Sequence, residues 1–123
     1  MKSGERLGLT ALSILFIFIG LAVFILNLPA EPSKYFLVIG ALLVIVFSFV
    51  LISGKAIGLY GLEGALLGLI VVNTWGQGRS AEPTPDYIIG FIIGMFVLPT
   101  NWPPMILLVL LYLSTLPIRK KLT

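Results

Sequence analysis

Two side chains in the stretch LYGLEGALLGL (59–69) have chemistry to offer: Glu63, a carboxylate that can hold a proton or a cation, and Tyr60, a phenol one turn earlier on a helix. Glu63 is the only ionisable residue in the middle of a long apolar run. It lies seven residues, about 10 Å, along that run from Ala56, too deep for its short side chain to reach water easily. A carboxylate facing lipid costs a few kcal/mol, so Glu63 is expected to face protein or a water-filled cavity. No Lys or Arg falls within an apolar run to neutralise it, and Tyr60 and Tyr112 are the hydroxyls at hand. Three duties stay open for it: a proton or cation path, contact with another subunit, or an inert, hydrogen-bonded acid.

Other chemistry is excluded by what the chain lacks. With no cysteine and no histidine there is no thiolate zinc site, iron–sulfur cluster, disulfide or imidazole haem ligand, and no metal or cofactor is expected. No nucleophile–base pair, facing carboxylates or phosphate-cradling glycine loop is present, so no catalytic residue is assigned and the chain does not read as an enzyme.

The elements that must carry Glu63 are membrane helices. Of the 123 residues, 59% are hydrophobic and 11% charged, where a soluble domain is about half apolar and about a quarter charged. A chain this small has too little interior to hide that surface, so the lipid bilayer is its first partner. The fold class is all-α, a polytopic membrane protein with four transmembrane helices in one domain. The expected spans are residues 7–28, 35–53, 56–72 and 87–116, the last broken at 99–104. The first is too long for the apolar part of a signal peptide and has no convincing cleavage site after it, so it is expected to be retained. PAEPSK (29–34) and SGK (53–55) are turns, and NTWGQGRSAEPTPD (73–86) is an exposed loop with Trp75 at the interface.

The last region admits two readings, a single crossing broken at PTNWPP or a re-entrant pair of half-helices. Charge asymmetry favours the single crossing. It puts Lys2, Arg6, Lys55, Arg119, Lys120 and Lys121 on one side and Lys34 and Arg79 on the other, and the positive-inside rule then makes both termini cytoplasmic. The same distribution explains the net charge of +3 without a nucleic-acid partner. Irregular backbone at membrane depth needs partners for its freed carbonyls. Pro99, Asn101, Trp102, Pro103 and Pro104 are the residues of this break, with Asn101 and Trp102 able to satisfy it.

Gly54, Gly58, Gly61, Ala65 and Gly68, spaced 4, 3, 4 and 3, draw a small-residue stripe on one side of the third helix. Gly90 and Gly94 form a second, weaker pair. Such stripes let another backbone approach closely. Glu63 stands about 200° from Gly61, on the opposite face.

Gly61-Leu62-Glu63 after the basic turn at Lys55, early in a glycine-rich helix, resembles the K-type small membrane subunit of respiratory complex I. The C-type subunit of Mrp antiporters and component E of energy-converting hydrogenases share that pattern. The resemblance implies that residues 35–98 form a three-helix unit and that Glu63 belongs to a proton or sodium path. The chain would then be one subunit of a large ion-translocating complex. The sequence departs from the pattern in having no second charged residue within 87–116 and in its additional first helix. The expected function is a small integral membrane subunit of a larger assembly, with other membrane subunits as partners. The alternatives are a homo-oligomeric transporter or channel and a non-catalytic accessory or assembly subunit.

Overall fold

The computed structural model describes residues 2–29, 31–76 and 85–123. Of the loop expected at 73–86, residues 77–84 lie outside the described part. The described residues are all-helical: α1 (Ser3–Leu26), α2 (Tyr35–Ile52), α3 (Ala56–Gly76), α4 (Pro85–Val97) and α5 (Trp102–Thr115). Short 3₁₀ turns precede α2 (Pro32–Lys34), precede α5 (Pro99–Asn101) and follow α5 (Arg119–Lys121). Three helices are long and apolar enough to cross a membrane. The fourth candidate span is the pair α4–α5, bent by 67° at the break.

Apolar residues cover both faces of these helices, so hydrophobic periodicity cannot choose their contact sides. Small residues choose them instead. A Cβ on Gly20 of α1 would stand 3.1 Å from the Ala41 carbonyl oxygen of α2. One on Gly58 of α3 would stand 2.5 Å from the Leu51 backbone nitrogen and 2.8 Å from its Cα, and one on Gly61 would enter the Phe47 ring. These glycines let α1 and α3 each lie closely against α2. The buried core then forms from Leu9 and Phe16 of α1, Val44 and Leu51 of α2, Leu62 of α3 and Leu111 of α5. Buried Ser13, Ser48 and Thr115 return their hydroxyls to the carbonyls of Leu9, Val44 and Leu111, which leaves no polar demand on the lipid.

Gly54 serves differently from the rest of its stripe. It lies in the tight turn between α2 and α3 at φ +84°, a left-handed conformation that only glycine adopts cheaply, and its N–H bonds the Leu51 carbonyl. Farther along, Ala65 of the stripe is buried but Gly68 is open, as is Gly64, which the stripe does not include. A Cβ on Gly64, Gly68 or Gly90 would meet nothing within 4 Å, and one on Gly94 would only touch Thr74 Cγ2 at 3.5 Å.

The break is shorter than PTNWPP. Leu98 is extended and Pro99–Asn101 form the 3₁₀ turn, whereas Trp102, Pro103 and Pro104 are already the first turn of α5. Proline fits there because the first-turn N–H groups of a helix have no intrahelical acceptor to lose. From this point α5 runs antiparallel to α3. Its start bonds Asn73 and Thr74 near the end of α3, and the Thr123 N–H after it bonds the Gly54 carbonyl before α3 begins. Residues 101–123 therefore cover the length of α3, and α4 meets the far end of α3 through the Trp75–Phe91 edge-to-face pair. Both chain ends and the 53–55 turn share one end of the bundle, where Lys121 Nζ donates to both oxygens of Glu5 at 2.8 Å.

Gly58→Leu is expected to separate α2 from α3, because the clash is with backbone and cannot be relieved by a rotamer. Thermal unfolding in detergent should show a loss of about 2–3 kcal/mol. Gly68→Leu should cost the isolated chain less than about 0.5 kcal/mol.

Candidate functional site

Glu63 does have a basic partner in its own chain. Arg119, four residues beyond α5, turns back along the bundle, and its guanidinium donates to Glu63 Oε1. The two side chains are 22% and 17% exposed, so the pair is mostly withdrawn from its surroundings. The Tyr112 ring lies beneath the guanidinium, 4.5 Å from its carbon, where the electron-rich face adds a cation–π attraction. Tyr112 thus contributes its ring at this site. Tyr60 is exposed and lines the same groove between α3 and α5 as Glu63 and Tyr112, and among the described residues no hydrogen bond joins it to Glu63.

No apolar run holds a basic partner for Glu63, as the sequence indicates, and the partner comes from outside the runs for a geometric reason. Arg119 sits in no apolar run, yet an antiparallel α5 ends beside the first half of α3, and the long arginine side chain reaches inward from there. The signal was present in the basic tail and in its assignment to the same side as Lys55. The direction of α5 was needed to connect them. The expected two-sided character of α3 is visible: Gly58 and Gly61 meet α2, while Glu63 turns toward the tail.

A second polar cluster joins α3 to the break. In a continuous helix the carbonyl of Met95 would accept from the nitrogen of residue 99, but Pro99 has no N–H. The side-chain amide of buried Asn101 donates to that carbonyl at 3.2 Å, and Trp102 Nε1 donates to the Phe96 carbonyl at 3.2 Å. Asn101 also donates to Thr74 Oγ1 and accepts from Asn73, each at 2.8 Å, and Asn73 donates to Thr100 Oγ1 at 2.8 Å. Thr74 closes the set by donating to the Ile70 carbonyl. Asn101 and Trp102 satisfy the break as the sequence suggested; Asn73, Thr74 and Thr100 are the members it did not single out.

Chemically, a carboxylate held by a guanidinium has its counter-charge and needs neither a proton nor a metal for neutrality. Among the described residues no group of three or more acidic, cysteine or histidine side chains is placed to hold a metal ion. Breaking the pair strands one charge. Glu63→Gln and Arg119→Gln are each expected to lower stability by about 1–3 kcal/mol. The double variant should lose less than the sum, and a thermal-unfolding double-mutant cycle measures the difference.

The chain matches no protein family, no curated protein and no solved structure.

Proposed function

We propose that this chain is a small, non-catalytic subunit of a larger membrane assembly, and that it offers the groove between α2 and α3 to a helix of another subunit. The observation that carries this reading is the open surface at Gly68 of the stripe and at Gly64 beside it. Gly58 and Gly61 are consumed by α2, but Gly64 and Gly68 leave space above the backbone, in a groove bordered by Ile39, Leu43 and Val72. In lipid, helices associate by close backbone approach at small residues rather than by hydrophobic force. An open glycine groove is therefore a surface on which another helix gains contact. The Glu63–Arg119 pair supports a structural duty within such a subunit, since it ties the tail to α3 inside one chain.

The resemblance around Glu63 suggests an energy-converting assembly as the partner class, within which Glu63, paired to Arg119, holds the subunit together. By the positive-inside rule, the end holding both termini, Lys55 and the basic tail faces the cytoplasm.

The chain contains no cysteine, so a single Gly64→Cys or Gly68→Cys variant gives an unambiguous cross-linking site. In native membranes the expected product joins this chain to a different, heavier polypeptide. A product at twice the chain's mass would instead support the homo-oligomeric reading, and no product at either position would sink the groove assignment.

A separate measurement addresses Glu63. Glu63→Gln is expected to leave ion translocation by the purified assembly unchanged while lowering its thermal stability. Lost translocation in an assembly of full composition would place Glu63 in the ion path.

A further inference from the structure

Between α1 and α5, over the floor made by α2 and α3, lies a cavity of about 330 Å³. Its walls are apolar, among them Phe16, Gly20, Val23, Ala41, Leu66 and Leu107. One end is polar, made by Asn73, Thr100 and Asn101. No Lys, Arg, Asp or Glu lines it. We infer that this cavity binds one single-chain, uncharged amphiphile with a hydroxyl head, a long-chain alcohol in chemical class, taken from the bilayer.

Hydrogen-bond accounting at the polar end selects the head. Both N–H groups of the Asn73 amide are used, one on Thr100 Oγ1 and one on Asn101 Oδ1, which leaves its Oδ1 as an acceptor. The Thr100 hydroxyl accepts from Asn73 and keeps its own O–H to donate. Asn101 is fully engaged with Thr74, Met95 and Asn73. Among the described residues, then, the cavity end presents one acceptor and one donor side by side. A hydroxyl, itself one donor with acceptor lone pairs, matches that pair, while a charged head would meet no counter-charge.

Depth and size select the chain. The polar end lies where α3 finishes and α5 begins, beside Trp75 and Trp102, residues that favour the headgroup level. From Asn73 to Leu66 the cavity follows α3 for seven residues, about 10 Å toward the bilayer middle. A hydroxyl at the headgroup level with its chain pointing inward is the orientation an alcohol already has in a bilayer. The volume is at the small end of the ~300–1,000 Å³ usual for small-molecule sites, which suits one chain and not the two chains and head of a phospholipid.

The test uses the full chain in phosphatidylcholine nanodiscs with a diazirine-bearing dodecanol, its cross-links mapped by mass spectrometry. Label is expected on the 16–23 segment of α1 and the 103–107 segment of α5, displaced by 1-dodecanol but not by dodecane. Val23→Trp, which fills the cavity, should abolish this label. Thr100→Val, which removes the donor and keeps the shape, should reduce the preference for alcohol over alkane roughly fivefold to tenfold. Unsaturable label spread over all lipid-facing helix surfaces would overturn the assignment, since phospholipid chains would then hold the cavity. Equal displacement by dodecane, or an unchanged preference in Thr100→Val, would overturn the role of the hydroxyl head.

Discussion

A carbonyl that loses its helical donor needs another partner, the more so when protein covers it. Pro99 creates that situation at Met95, and the side chain of Asn101 resolves it. Because the same amide also binds Thr74 and accepts from Asn73, the repair fixes the start of α5 against the end of α3. That fixed point directs α5 down α3, brings Arg119 to Glu63 and the last residue to Gly54, and holds α5 far enough from α1 to leave a cavity between them. One local hydrogen-bonding debt thus sets the course of the final third of the chain.

The two ends of the bundle are held by different means. At the break, neutral amides and hydroxyls form the network, centred on Asn101, whose amide donates twice and accepts once. At the end holding both termini, ionic contacts dominate: Lys121 on Glu5, and Arg119 reaching inward to Glu63. This division follows the positions of the charged residues along the chain, since six of eight basic residues lie toward that end. Arg119 and Lys121 therefore combine two duties, contributing positive charge to the basic end and closing the tail onto α3 and α1.

The helices and their membrane character were legible because apolar run length is a direct physical requirement of the bilayer. The side by which α3 meets α2 was legible at Gly58 and Gly61, where a stripe of small residues marks close approach. Its extent was not, since Gly54 and Gly68 share the spacing while one caps a turn and the other is open. Asn101 announced itself as a donor beside a proline, but which helix end it would reach depends on three-dimensional proximity. The partner of Glu63 was hidden for the same reason. Residues 63 and 119 meet only because an intervening helix reverses direction, and no local spacing encodes that.

The 56-residue separation between Glu63 and Arg119 also has a meaning in time. During synthesis at about 5–20 residues per second, Glu63 is made roughly 3–11 s before its arginine. Until then the carboxylate is unanswered from within its own chain, and the pairing closes only when the turn at Arg119–Lys121 arrives. The pairing is therefore a late event in biogenesis, a latch that secures α5 to α3 only after residue 119 has been made.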